Sequence, residues 1–352
     1  MQPTEFSAPL LRWYDENKRV LPFRTEPTPY RVWVSEIMLQ QTRVAAALPY
    51  YERFMQALPT VQALAECSEE QLLKLWEGLG YYSRARNLQK AARIVVQQYG
   101  GQLPADLAAL RALPGIGEYT AGAIASIGFG LAAVAVDGNV LRVFSRLLCD
   151  EGDVTRPEVK KRLAAEVARL QPPQRPGDYN QALMELGALV CTPGAPACES
   201  CPAVQLCRAR QAGCAAQLPH KAPKAKRRRC EWTAALVLRE DDGARRVLLT
   251  RRPADGLLAG LWQPVLLPGR LSDGETRAAL DAMGVEAEPV RALDGAKHVF
   301  THLEWHMTGW LCRWRAGAPA CEHAWALRGE LDGRYALPSA VRAFAEQAKK
   351  VL

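Results

Sequence analysis

Four cysteines constrain this chain more tightly than any other feature. Cys191, Cys198, Cys201 and Cys207 form a C-x6-C-x2-C-x5-C array directly after the helical segment NQALMELGALV. Four thiolates this close in sequence can enclose one compact soft-metal centre, which obliges the chain between them to wrap as a single loop. A zinc ribbon would need two separated C-x2-C knuckles to come together, so an iron-sulfur cluster fits the spacing better. Zinc, and cysteines that merely pack, are the alternatives. Cys67, Cys149, Cys214, Cys230, Cys312 and Cys321 lack such spacing and read as packing or surface residues.

The 352 residues suffice for two domains at about 150 residues each. A hydrophobic fraction of 49%, with 26 Gly and 24 Pro, excludes a disordered, collagenous or fibrous chain. The balance of 45 Lys and Arg against 37 Asp and Glu gives a net charge of +8, a moderate excess that permits a polyanionic partner without proving one. The start, MQPTEFSAPLLRWYDENKR, has no basic segment leading into an apolar run, which excludes an ordinary secretory signal and predicts a cytosolic chain. In a reducing compartment cysteines pose a question about metals before disulfides. Tyr119 to Val136 carry no charge, but Gly122, Gly128 and Gly130, with the flanking Glu118 and Asp137, predict a buried helix and turn instead of a membrane span.

Residues 1–212 read as helices joined by short Gly and Pro turns, giving an all-α domain that includes the cysteine loop 191–207. Residues 213–230 turn to Ala, Pro and base and read as a basic linker. Residues 231–352 read as α+β: WTAALVLRE and RRVLLTRR flank a DDGA turn as a hairpin, ETRAALDAMG is a helix, and HVFTHLEWHMTGWLCRW supplies more strand.

Three further constellations carry chemistry. In LPGIGEYTAGA, residues 113–123, Gly115 and Gly117 let the backbone turn so that amides at the next helix's start can face a phosphate, a helix-hairpin-helix candidate. Thr120 stands where a dinucleotide fingerprint would need its third glycine, and the plain alternative is an αα-turn. Glu36 lies in YRVWVSEIMLQQ, where Thr28 and Pro29 suit an N-cap and first helical position. Apolar residues cover nearly every face of that helix. A carboxyl group in such surroundings has its pKa raised toward the range of a working general acid, the alternative being a structural ion pair with an arginine. Asp137 opens DGNVLRVFSRLL and by local rules is a helix N-cap, although its place after the glycine hairpin can bring a second carboxylate toward Glu36.

In order and spacing, VSEIMLQQT, GLGYYSRARNL, LPGIGEYTAGA, VDGNVLRV and the four cysteines resemble the adenine DNA glycosylases of the MutY type, within the helix-hairpin-helix superfamily shared with endonuclease III. The resemblance covers the first domain almost throughout and recurs in HVFTHLEW. It implies double-stranded DNA carrying adenine opposite 8-oxoguanine or guanine as partner, removal of the flipped adenine, and a [4Fe-4S] cluster on the four cysteines. By the same resemblance Glu36 is the acid that protonates adenine N7, Asp137 stabilises the oxocarbenium-like sugar, and Asn139 stands beside it. Tyr119 occupies the place of the lysine with which the endonuclease III branch forms a Schiff base, so the chain reads as monofunctional, with Tyr119 positioning Asp137 or the sugar. Gln41 and Tyr81 match residues that enter the DNA stack.

The second domain resembles the MutT-like, Nudix-fold domain with which this family reads the oxidised guanine, with Phe300, Thr301 and His302 as the recognition loop. Threonine replaces the commoner serine in that loop. Arg277-Ala278 and Asp281-Ala282 do not make the carboxylate-rich helix that Nudix chemistry needs. The loop TPGAPA lacks the basic residues common in this family, leaving Arg208 and Arg210 as the substitutes for phosphate contact. The resemblance and composition together predict a monomer in a bacterial-type cytoplasm, associated with the nucleoid through DNA and not with a membrane. Protein partners are not readable. The rival readings are a bifunctional glycosylase/lyase and a non-catalytic iron-sulfur DNA-binding protein.

Overall fold

A computed structural model describes residues 1–223 and 226–352; residues 224 and 225, within the linker read at 213–230, lie outside the described residues. The chain forms two compact units, Met1–Glu66 with Arg86–Pro223, and Cys67–Ala85 with Lys224–Leu352. The division read from sequence differs in where 67–85 falls and at the linker read at 213–230, whose first part groups with the first unit and whose last residues, Arg228–Cys230, begin a strand of the second.

The first unit is helical, as the periodicity predicts. Its core joins the N-terminal helix Pro3–Asn17 to the helices Gly138–Leu148, Pro157–Arg169 and Pro176–Leu189. Phe6 is the pivot: its ring meets Phe144 edge-on at 5.7 Å and Tyr179 at 6.3 Å, and all three are fully buried. Cys191, Cys201 and Cys207 pack against the rim of this core. The apolar stretch from Tyr119 folds as the helix Glu118–Ala123 continued by one π-turn, Ile124–Gly128, and then an extended run to Asp137. Among the described residues no helix is long and apolar enough to cross a membrane.

In the second unit six strands, β1 (Arg228–Asp241), β2 (Ala244–Arg251), β3 (Trp262–Pro268), β4 (Val285–Val299), β5 (Leu303–Gly317) and β6 (His323–Ala326), form one sheet in the order β4-β5-β1-β3-β2-β6. β1 and β5 run parallel while the other pairs are antiparallel. Because successive strand residues face opposite sides, Leu236 and Val247 pack under the helices Arg328–Gly333 and Arg342–Lys349, and Val237 and Leu248 pack under Asp273–Ala282. The predicted hairpin is β1 and β2, turning at Asp242 and Gly243, and the α+β assignment holds. Segment 67–85 joins this unit through Lys74 Nζ, which donates to the Tyr335 carbonyl at 3.1 Å, and Glu77 Oε1, which accepts from the Leu337 amide at 2.8 Å.

Candidate active site

Glu36 is carried by the helix Pro29–Leu39, whose start is as expected. Thr28 caps it by accepting from the Arg31 amide at 3.3 Å, and Pro29 occupies the first turn, where its missing N–H costs nothing. Tyr30, Val32, Trp33, Val34, Ile37 and Met38 are buried around it, leaving Glu36 only 7% exposed. Among the described residues its hydrogen-bond donor is the Tyr119 hydroxyl, which gives its proton to Oε2 and also lies 3.7 Å from Met184 Sδ. Tyr119, read from sequence as positioning Asp137 or the sugar, has Glu36 as its hydrogen-bond partner here. Burial drives the Glu36 pKa up to about 7; the Tyr119 hydrogen bond and Arg24 resist this, and the charge of Asp137 adds to it.

Asp137 is held by architecture that local sequence does not display. The run leading to it is extended because buried Asn180 accepts from the Ala135 amide at 3.1 Å and donates to the Ala133 carbonyl at 2.8 Å. Gly122 lets that run pass: a Cβ there would stand 2.0 Å from the Val134 carbonyl oxygen. Asp137 then caps the helix Gly138–Leu148, Oδ1 accepting from the Asn139 and Val140 amides at 2.9 and 2.8 Å. Oδ2 accepts from Asn139 Nδ2 at 2.9 Å, and Asn139 Oδ1 in turn accepts from Arg142 at 2.9 Å. Burial raises the Asp137 pKa, against the pull of these donors and of Arg142. Capping and facing the site are thus one arrangement: the cap fixes the carboxylate.

Glu36, Tyr119, Asp137 and Asn139 line one cavity of about 920 Å³, within the range of ligand-binding clefts. Gln41 lies at its rim with φ +59°, a left-handed conformation that a non-glycine residue adopts at a cost and that concentrates at functional sites. Sequence reasoning missed Arg24 and Glu185 in the same cavity. Fully buried Glu185 binds Arg19 through both oxygens, at 2.6 and 2.8 Å, and Arg24 at 2.8 Å. Burial alone would raise the Glu185 pKa, but the two guanidinium groups hold it down to about 2. The signal was available, since Glu185 interrupts the apolar NQALMELGALV as Glu36 interrupts its own helix. At the hairpin only Gly115 uses its conformational freedom, with φ +78° and Asn87 where a Cβ would go. Gly117 has an ordinary φ of −87° and opens the next helix without a side-chain cap.

All four predicted cysteine ligands line a single small void. Arg146, almost fully buried beside it, donates from Nη1 to the Thr192 carbonyl at 2.8 Å and lies 3.3 Å from Cys191 Sγ, while its buried Nη2 has no partner among the described residues. A buried cation with an orphaned donor, facing four thiols, fits an anionic metal–thiolate centre. Segment 191–207 is built from short 3-10 turns at Cys198–Ser200 and Val204–Leu206, and Arg142 Nε donates to the Cys191 carbonyl at 2.8 Å. Among the described residues no three His, Cys, Asp or Glu side chains are grouped to hold a single metal ion. Arg210, one of the expected phosphate ligands, is paired with Glu199 at 2.7 Å.

In the second unit Phe300, Thr301 and His302 form the turn between β4 and β5. The Phe300 amide closes the turn onto the Leu303 carbonyl at 2.8 Å. Its ring stands edge-on between His298 at 4.6 Å and Trp305 at 5.0 Å. Arg227 donates to the Phe300 carbonyl at 3.0 Å and the Arg228 amide donates to that of His302 at 3.1 Å, so the last basic residues of the linker brace the turn. Thr301 and His302 are exposed at its tip. Thr301 Oγ1 shares a 2.7 Å hydrogen bond with the Tyr81 hydroxyl, and Tyr81, like Gln41, has a left-handed backbone with φ +48°.

Residues 34–169 match the family described as HhH-GPD superfamily base excision DNA repair protein, and residues 234–347 match the NUDIX domain. The adenine DNA glycosylase of Homo sapiens is 41% identical over 86% of this chain and 65% of its own length. That of Buchnera aphidicola subsp. Baizongia pistaciae is 32% identical over 85% of this chain and 83% of its own. The chain belongs to the adenine DNA glycosylase family. It spans 65% of the length of the human relative. Among solved structures, a thermostable thymine-DNA glycosylase superimposes with a TM-score of 0.55 at 28% identity, covering 60% of this chain and 97% of that one.

For a member of the adenine DNA glycosylase family the distribution of these matches is informative. The base-excision match contains Glu36, Tyr119, Asp137 and Asn139 and ends before Cys191, while the NUDIX match contains the Phe300–His302 turn. The helical fold is shared with a structure described as a thymine-DNA glycosylase, so the fold alone does not fix which base is removed.

Proposed function

We propose that this chain hydrolyses the N-glycosidic bond of adenine paired with 8-oxoguanine or guanine in duplex DNA, without cutting the strand. The observation that carries the reading is the pairing of a buried carboxyl group, Glu36, with a half-buried one, Asp137, in one cavity with different hydrogen-bond environments. Among the described residues Glu36 receives a single donor and has a pKa of about 7, whereas Asp137 receives three. An acid that delivers a proton and a carboxylate that stays charged are what N-glycoside cleavage requires. The adenine flips into the cavity, and Glu36 protonates N7 so that the base leaves as a neutral group. Asp137 stabilises the positive charge developing on the sugar, and Asn139 fixes its orientation. Tyr119 keeps the Glu36 carboxyl aimed into the cavity. A tyrosine hydroxyl cannot form the Schiff base that strand cleavage by a lyase needs.

Gln41 and Tyr81, both held in left-handed backbone, enter the base stack, and the amides following Gly115 and Gly117 face a phosphate. In this division of labour 1–212 cleaves, 213–230 links, and 231–352 reads the lesion. The experiment is a single-turnover incubation with an A:8-oxoguanine duplex, with release of free adenine and a strand that breaks only after alkali treatment as the expected result. A DNA–protein adduct trapped by borohydride would support the lyase instead, and absence of base release would support a binding protein.

The Thr301–Tyr81 hydrogen bond supports reading by the β4–β5 turn. Thr301→Ala should lower the A:8-oxoguanine over A:G rate ratio by about two- to tenfold, the worth of one neutral hydrogen bond, and Thr301→Ser should restore it. Tyr81→Phe removes the other half of the same bond, so the double variant should lose less than the sum of the single losses. Additive losses would mean that the pair does not act as a unit.

The four cysteines and the orphaned donor of Arg146 support a [4Fe-4S] cluster, held by Cys191, Cys198, Cys201 and Cys207 and supplying a covalent centre around which segment 191–207 is organised. Purified protein should be brown, with iron in near fourfold excess over chain. Cys198→Ala should lose iron and melt earlier, while a colourless, active preparation with stoichiometric zinc would contradict the assignment.

A further inference from the structure

Two cysteines outside the ligand set stand together. Cys149 ends the helix Gly138–Leu148 and Cys214 follows the short helix Arg208–Gln211, and their sulfur atoms are 3.4 Å apart. Both are partly exposed, so a small solute in water can reach them. Their spacing of 65 residues hid the pair from sequence reading. The structure assigns Cys149 and Cys214 as a dithiol that hydrogen peroxide converts to an intramolecular disulfide, stapling the last turn of the Asp137 helix to the end of the cysteine-ligand segment.

The backbone on both sides is already fixed, so bond formation needs only a small side-chain approach to the S–S length of about 2.05 Å. The Asp150 amide donates to the Ser145 carbonyl at 2.8 Å, and Asp150 is bound by Arg162 at 2.8 and 2.9 Å. On the other side the Cys214 amide donates to the Ala209 carbonyl at 2.9 Å, and the Arg146 side chain donates to the Leu218 carbonyl at 2.9 Å. Ala209, Ala215 and Leu218 are buried beneath the two thiols. Cys149 also takes φ +54° at the helix end, where glycine is the ordinary choice, so the sulfur is retained at a backbone cost.

The chemistry balances with peroxide as oxidant. One sulfur attacks a peroxide oxygen, breaking the O–O bond, and becomes a sulfenic acid with release of water. The second sulfur displaces the hydroxyl from the first, which leaves as another water, so two thiols and one peroxide give one disulfide and two waters. The closed loop contains all four cysteine ligands, so the disulfide holds segment 191–207 to the helix.

The test is mild peroxide treatment of the purified, iron-loaded chain, followed by alkylation under denaturing conditions and peptide mapping. The expected results are a Cys149–Cys214 cross-linked peptide, a mass lower by two hydrogens, and a melting temperature raised by about 5 °C or more relative to the dithiothreitol-treated chain. Cys149→Ser and Cys214→Ser should each remove both the cross-link and the shift. Independent oxidation of the two sulfurs, a cross-link from either to a ligand cysteine or to a second chain, or an unchanged melting temperature despite the cross-link would overturn the proposal.

Discussion

Replacing Glu36 with glutamine is expected to slow single-turnover adenine release by about 10²–10⁴-fold, the usual worth of a general acid, while leaving duplex binding intact. The amide can still accept from Tyr119 but has no proton of suitable acidity to deliver. The same substitution should make the folded protein more stable above neutral pH. Burial raises the Glu36 pKa from 4.5 to about 7 in the folded state. The favourable protonated form is therefore fully present below about pH 4.5, and its benefit is lost as pH rises through 7. At pH 8 the parent carries a penalty of about 3 kcal/mol that the glutamine variant escapes. A variant that is slower and also more stable at pH 8, with the stability difference vanishing near pH 4, is the signature of a carboxyl group retained for chemistry. A single-turnover rate within a few-fold of the parent would remove Glu36 from the mechanism.

Asp137→Asn separates capping from catalysis. Asparagine caps helices about as well as aspartate, so the bonds from the Asn139 and Val140 amides survive. At the other oxygen an amide nitrogen would face Asn139 Nδ2, and Asn139 cannot turn to suit because its oxygen is held by Arg142. The cost to stability should be about 1–2 kcal/mol. The rate should fall much further, by about 10²–10³-fold, since the charge opposite the developing cation is gone. Melting curves and single-turnover rates on the same preparation decide it. A rate loss no larger than the stability loss predicts would make Asp137 a cap and nothing more.

What the sequence showed and what it hid divide along the range of the interactions. Glu36's burial was legible because the residues enclosing it are its own helical neighbours, and Thr28 and Pro29 mark that helix's start by local chemistry. The four cysteines were legible because their ligand spacing is short, whereas Phe300, Thr301 and His302 were singled out only by the family resemblance, and the residue pattern alone read HVFTHLEW as strand where the chain in fact turns at 300–302. Nothing local announces that Asn180 straightens the chain before Asp137, that Glu185 gathers Arg19 and Arg24, or that Cys149 meets Cys214. Each of these joins residues far apart in the chain, where periodicity carries no information. Tyr119 is the intermediate case: its identity argued against a lyase, but its hydrogen bond to Glu36 is a tertiary contact spanning 83 positions. Placing 67–85 with the second unit likewise rests on Lys74 and Glu77 reaching the backbone at Tyr335 and Leu337, more than 250 residues away.

The central claim, that a buried Glu36 delivers the proton that frees adenine, is tested most directly by the pH dependence of single-turnover adenine release from an A:8-oxoguanine duplex. The acid must be protonated and Asp137 ionised. The rate should therefore fall as pH rises through about 7, and also fall at low pH, with a midpoint above the ordinary aspartate value of 3.8. The residual rate of Glu36→Gln should lack the upper limb. A rate that stays level or climbs from pH 6 to 9 in the parent, or an upper limb that persists unchanged in the glutamine variant, would contradict the account.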